Sequence, residues 1–303
     1  MKKIFIVGLL VLLGVGLVFY PKIADYFSAK NASVAVENYA ASVSKIDENA
    51  IAEELKKAED YNSALTGEGI HDPFVPGSGS VMGADYLSLL NIDGTMGYLV
   101  IPEINVNLPI YHGASEETLR KGVGHLEGTS LPVGGEGTHA VLTGHTGLTN
   151  ARLFTDLTEL KRGDTFYVHV LGMVLAYQVD QIKVVEPADT SDLLPVEGKD
   201  YVTLVTCTPY RVNSHRLLVR GIRIPYTPAT AQNTAAPAPV MTQENKLLLR
   251  AGLITAAAML ALIVSVALWR RKKYRYVPQH LAKRRRRPQG ENRRYRSAEL
   301  GRE

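Results

Sequence analysis

The chain carries one thiol, Cys207, which has no partner for a bridge within its own chain. It follows the apolar run Tyr201–Thr206, which reads as a buried strand, and Thr208-Pro209-Tyr210 breaks that strand. The sulfur therefore falls at a strand terminus, where a side chain can face a cleft. A buried cysteine acting as a small hydrophobe is the alternative. Thiols attack as thiolates, so Cys207 needs a base or an ion-pair partner. Of the eight histidines, His145 stands in Leu142-Thr143-Gly144-His145-Thr146-Gly147, just past a second strand pattern at His139–Thr143. Its flanking glycines permit a tight turn and close backbone approach. His125 and His215 are rivals, and His169 reads as a face residue within a strand. His71, His112, His139 and His280 have no such context. Acyl transfer also needs donors where an oxyanion develops. Arg216 opens the strand pattern His215–Gly221, nine residues after Cys207. If the chain turns back through Val212-Asn213-Ser214, the two strands pair antiparallel and Arg216 returns beside the thiol. A surface ion pair is the alternative for this residue. Arg220 lies on the same strand face, farther from the sulfur, and Arg211 reads as a turn residue.

Residues 91–226 must position these groups. Short β-rich runs recur at Tyr98–Ile101, Val106–Tyr111, His139–Thr143, Thr165–Val170, Val174–Val185, Tyr201–Thr206 and Leu217–Ile224. Helical patterns intervene at Glu116–Lys121 and Ala151–Leu160. Many short strands with few helices predict a mostly β closed barrel or sandwich. Ahead of it, residues 33–66 show helical spacing, with a break near Ile46 and Asp47 as a candidate cap for a second helix. This arm either packs on the body or spaces it from a membrane. Residues 67–80 hold four glycines and two prolines, which excludes regular structure. Ile70, Phe74 and Val75 nevertheless mark that loop as one packed against a groove.

The combination of motifs resembles the sortases. Thr203-Leu204-Val205-Thr206-Cys207, followed by Thr208-Pro209-Tyr210, is similar to their active-site strand. Leu142-Thr143-Gly144-His145 resembles their His loop, and His215-Arg216-Leu217-Leu218-Val219-Arg220 their Arg strand. Gly124–Pro132 is also typical of that family. Asp72-Pro73-Phe74 resembles the lid of class C, pilin-polymerising sortases. The resemblance implies an eight-stranded sortase β-barrel and cysteine transpeptidation, with Cys207, His145 and Arg216 catalytic and Asp72, Pro73 and Phe74 forming a lid. It implies as partners pilin subunits that carry an LPXTG-like sorting signal and an acceptor lysine. A housekeeping-type sortase that anchors proteins to peptidoglycan, and a non-enzymatic membrane-tethered scaffold, are the alternatives. No metal-ligand spacing and no phosphate-binding glycine loop occurs, so neither cofactor nor metal is expected.

Charge is distributed unevenly. The chain has 34 Lys+Arg and 30 Asp+Glu; 14 and 3 of these lie in residues 270–303, so the remainder is mildly acidic. A basic tail of this kind does not support a nucleic-acid partner. Ile4–Tyr20 is an uncharged run after Lys2 and Lys3, read as an uncleaved signal anchor in preference to a cleaved signal peptide. Ala251–Trp269 is uncharged and followed at once by Arg270-Arg271-Lys272-Lys273, the pattern of a spanning helix with a cytoplasmic stop. At about 1.5 Å per residue it reaches about 28 Å, near the hydrocarbon thickness. The expected order is a signal anchor (1–21), a helical arm (22–66), a lid (67–80), a catalytic barrel (81–226), a Pro/Ala/Thr-rich linker (227–246), a transmembrane helix (247–269) and a basic cytoplasmic tail (270–303). The tail is expected either to meet anionic membrane lipid or to act only as a topology determinant, with the catalytic domain outside the cell membrane and both termini cytoplasmic.

Overall fold

Most of the strands bury both faces, one of them inside a barrel that eight strands form by closing on themselves. The computed structural model describes residues 2–65, 70–75 and 83–226, together with 250, 252, 257, 261 and 264–269. The strands are β1 (Gly97–Ile101), β2 (Val106–His112), β3 (Val123–His125), β4 (Thr138–Thr143), β5 (Thr165–Val170), β6 (Met173–Val185), β7 (Asp200–Thr208) and β8 (His215–Ile224). Their order around the closed barrel is β1-β2-β3-β4-β7-β8-β6-β5. The β2–β3 and β4–β7 pairs are parallel and the rest are antiparallel. Seven strands coincide with the β-rich runs of the sequence; β3, only three residues long, does not. The helical pattern at Glu116–Lys121 forms α4 with those bounds, whereas the one at Ala151–Leu160 shortens to a 3-10 turn over Thr155–Glu159.

The barrel interior is filled by Leu99, Ile110, Leu142, Phe166, Tyr177, Leu204 and Val219, among others. Opposite faces of the same strands carry a second, smaller cluster. It unites Val141 of β4, Val205 of β7 and Leu218 of β8 with Ile70, Leu126, Val185 and Leu193, and Phe74 packs against it. Because side chains alternate along a strand, Cys207 shares the outward face of Val205.

Helix α1 (Lys2–Val43) and α2 (Glu48–Ala64) are separated by a short turn. Asp47 caps α2, accepting from the backbone N–H groups of Asn49 and Ala50. From Gly16 onward the arm belongs to the same compact unit as the barrel, and it packs on that body rather than standing clear of it. The Tyr39 hydroxyl donates to the Met96 carbonyl at 3.0 Å and accepts from Leu171 N–H at 2.9 Å. Asn62 exchanges two hydrogen bonds with the backbone of Leu131, and Glu54 accepts from Leu90 N–H at 2.7 Å. A short α3 (Ala84–Ser88) follows the arm.

Among the described residues no helix is long and apolar enough to cross a membrane. Most of the span expected at Ala251–Trp269, the linker at 227–246, the basic tail and much of the 67–80 loop lie outside the described residues.

Glycine is required in β3. A Cβ on Gly124 would lie 2.3 Å from the Gly113 carbonyl oxygen and 3.0 Å from the Leu119 side chain. The first neighbour is backbone and cannot step aside without moving the segment between β2 and β3. Gly124→Ala is expected to cost stability at the upper end of about 1–3 kcal/mol. A urea midpoint equal to that of the parent protein would show that β3 has slack.

Candidate active site

The hairpin expected from the Val212-Asn213-Ser214 turn forms, and β7 pairs with β8 so that Cys207 lies directly opposite Arg216. On the other side β7 runs parallel to β4, with Thr143 opposite Val205 and the Gly144 N–H bonded to the Val205 carbonyl at 3.1 Å. His145 and Cys207 each lie two residues beyond that matched pair. Three sequence-distant side chains thus reach one end of the barrel. Two further bonds fix the His145 turn. The Thr206 hydroxyl donates to the Gly144 carbonyl at 2.7 Å, and Phe154 N–H donates to the His145 carbonyl at 3.1 Å. Gly144 also sits against the Phe154 ring, where a Cβ would be 2.7 Å away.

Residues 70–75 lie across these groups. The Asp72 carboxylate accepts from Arg216 Nε at 2.8 Å and from Nη2 at 2.6 Å, a forked ion pair with both side chains buried. Arg216 Nη1 donates to the carbonyls of Asn213 and His215. The Phe74 ring centre is 5.2 Å from the Arg216 guanidinium carbon and 6.0 Å from the His145 ring centre. Ile70 is buried in the second cluster with Val205 and Leu218. Pro73 joins the two contact residues in the turn, where Phe74 N–H donates to Asp72 Oδ1 at 3.3 Å. The resemblance to a class C lid allows Asp72 to meet either Arg216 or Cys207; the carboxylate forms its forked ion pair with Arg216.

Burial pushes the Cys207 thiol up; the Arg216 guanidinium pulls it down, and the Asp72 carboxylate pushes it up again. The charge that favours a thiolate is thus partly cancelled by the carboxylate clamped to it.

The rival histidines are otherwise engaged. His125 is fully buried and bonds the Tyr86 hydroxyl at 2.9 Å and the Ser130 carbonyl at 2.8 Å. His139 bridges the Leu194 carbonyl and the Thr203 hydroxyl. His169 stacks on Tyr98 with ring centres 4.2 Å apart. His215 pairs with Glu186 at 3.0 Å, at the exposed start of β8. One contact has no signal in the sequence: Glu116, on α4, reaches His145 Nε2 at 3.1 Å. Among the described residues no group of His, Cys, Asp and Glu could hold a metal ion.

A family profile described as "Sortase domain" matches residues 99–224, the stretch from β1 to the end of β8. The crystal structure of sortase C-1 from Streptococcus pneumoniae is 52% identical, covers 64% of this chain and 99% of its own, and superposes with a TM-score of 0.62. A second sortase C structure from Streptococcus pneumoniae, described as informing catalysis and pilin substrate specificity, is 49% identical over 64% of this chain and 97% of its own, with a TM-score of 0.60. Sortase A of Bacillus anthracis is 32% identical over 126 residues, 42% of this chain and 58% of that protein, so the match leaves about two fifths of that relative uncovered. The chain belongs to the sortase family. Its structural neighbours, at about half identity over nearly their whole length, are class C sortases.

Proposed function

We propose that this protein is a pilin-polymerising cysteine transpeptidase, with Cys207 the nucleophile, His145 the acid–base partner and Arg216 the oxyanion donor. The observation that carries it is the register placing Cys207 opposite Arg216, with the His145 turn on the adjacent parallel strand. The Cys207 sulfur attacks the Thr carbonyl of an LPXTG-like sorting signal, and Arg216 stabilises the tetrahedral oxyanion. The Thr–Gly C–N bond breaks, and the proton held on His145 goes to the departing amine. A lysine amine of the next pilin then attacks the thioester. An isopeptide bond forms, and the thiol leaves with its proton restored through His145.

The clamped loop makes Asp72, Pro73 and Phe74 a lid in this reading. In the closed position Asp72 occupies the guanidinium fork that a substrate carbonyl needs, and Phe74 fills the space between Arg216 and His145. Opening must break a buried forked ion pair, so the lid is a gate and not a tether. Phe74→Ala is expected to speed alkylation of Cys207 by a small maleimide severalfold at neutral pH. Equal labelling rates in the two proteins would remove the gating role.

The hydrophobic runs Ile4–Tyr20 and Ala251–Trp269 anchor the enzyme in this reading, with the barrel outside a Gram-positive-type membrane and the 270–303 tail on its anionic inner leaflet. A housekeeping sortase is the second reading. The class C neighbours favour polymerisation over it. The two are separated by incubating the enzyme with a pilin that bears both a sorting signal and an acceptor lysine. A ladder of covalent multimers is expected; cleavage with monomeric products only would point to another acceptor.

A further inference from the structure

We infer that Glu116 is a positioning residue that sets the tautomer and orientation of His145. The inference rests on the assignment of His145 as the acid–base partner. Its ground is one contact: Glu116 Oε2 lies 3.1 Å from His145 Nε2. A carboxylate only accepts, so Nε2 is the nitrogen that carries the hydrogen. Among the described residues Nδ1 has no hydrogen-bond partner. Nδ1 is then the nitrogen with a free lone pair, able to receive the thiol proton and later to pass it to the departing amine. Without the carboxylate, a neutral imidazole would divide between its two tautomers, and the one protonated at Nδ1 cannot accept a proton there. Once the imidazolium forms, the same carboxylate stabilises its charge.

The geometry is built, not incidental to a mobile side chain. Glu116 is the first residue of α4, and the preceding Ser115 hydroxyl caps the helix by accepting from Thr118 N–H at 3.2 Å. Its other oxygen, Oε1, accepts from Arg120 Nε at 2.7 Å, one helical turn on. The carboxylate is thus held from two sides, with Oε2 left for the ring. His145 keeps only 17% of its side-chain surface exposed, whereas Glu116 keeps 62%. The exposed end of the pair limits the size of the effect. The neighbouring Glu117 forms its own turn-spaced pair with Lys121 and has no contact with His145. It offers a control of equal charge on the same helix.

The test compares the full-length chain with Glu116→Gln, Glu117→Gln and Cys207→Ala in cleavage of a peptide bearing a Leu-Pro-x-Thr-Gly signal. Glu116→Gln is expected to lower kcat about tenfold with KM within twofold, because the lost contact acts on proton transfer and not on peptide binding. Glu117→Gln is expected to leave both constants within twofold. An unchanged kcat in Glu116→Gln, an effect confined to KM, or an equal fall in Glu117→Gln would overturn the positioning role. Cys207→Ala separates the two levels of the argument. If it still turns over, the transpeptidase assignment itself fails. If it is inactive while Glu116→Gln is normal, only the role of Glu116 fails.

Discussion

Cys207→Ala is expected to abolish both peptide cleavage and pilin ladder formation, a fall of at least about a thousandfold in turnover, while the fold survives. The reasoning has two parts. The sulfur is the sole thiol, so no other side chain can form the thioester. Its removal exchanges a half-buried S–H at the end of β7 for a methyl hydrogen, in a strand held on both sides by β4 and β8. The loss of a small, incompletely buried group costs little stability. Melting temperature and kcat should therefore separate cleanly. Mass spectrometry of the wild-type enzyme mixed with a sorting-signal peptide should show an acyl adduct on Cys207 that is absent from the variant. Persistent ladders in the variant, in a preparation free of other sortases, would remove the covalent mechanism.

The second large effect is on acid stability. His125, His139 and His169 are buried, and burial pushes each of them down to about 4. In the unfolded chain a histidine titrates near 6.5. Between these values the unfolded chain binds protons that the native barrel refuses, so stability rises with pH across that window. It is fully present above about pH 6.5 and is lost as pH falls towards 4. Each shift corresponds to about 3 kcal/mol at the acid end, and three together rival the whole stability of an ordinary domain, about 5–15 kcal/mol. Carboxylates contribute lower, as they protonate from about pH 5 downward. Urea midpoints measured between pH 7 and 4 should thus decline from about pH 6.5, ahead of any carboxylate effect. A flat midpoint down to pH 5 would mean that these imidazoles are not kept neutral by the fold.

Much of this architecture was legible from composition along the chain. Seven strands are β-rich runs long enough to stand out between turn residues. Asp47 marked the start of α2 because a side-chain acceptor is what unpaired N–H groups require. The return of Arg216 to Cys207 followed from the length of the connecting turn. The three residues of β3, one of them glycine, are too few to make a β-rich run, and its identity depends on partners in β2 and β4. Residues 84–88 form a single helical turn and a half, too short for helical spacing to register. The pairing of Asp72 with Arg216 spans 144 positions, so chain proximity does not suggest it; the resemblance to a lid names Arg216 as one of two contacts, and the fold selects it. Glu116 and Glu117 are chemically identical neighbours, and only barrel closure decides which of them meets His145. The histidines show the same rule in reverse. His125 looked like a candidate base from its glycine neighbours, and three-dimensional burial made it a structural residue.

Closure of the barrel has a consequence for how a guest peptide is held. Every one of the eight strands already has a hydrogen-bonded neighbour on each flank. An incoming extended segment therefore finds no wholly unpaired strand to extend the sheet, although Gln181–Val185 of β6 run beyond the end of β5 and keep one open flank. Selectivity for such a segment is then weighted towards side-chain shape over main-chain pairing. It also leaves the sheet without a free edge strand along which extended chains could stack.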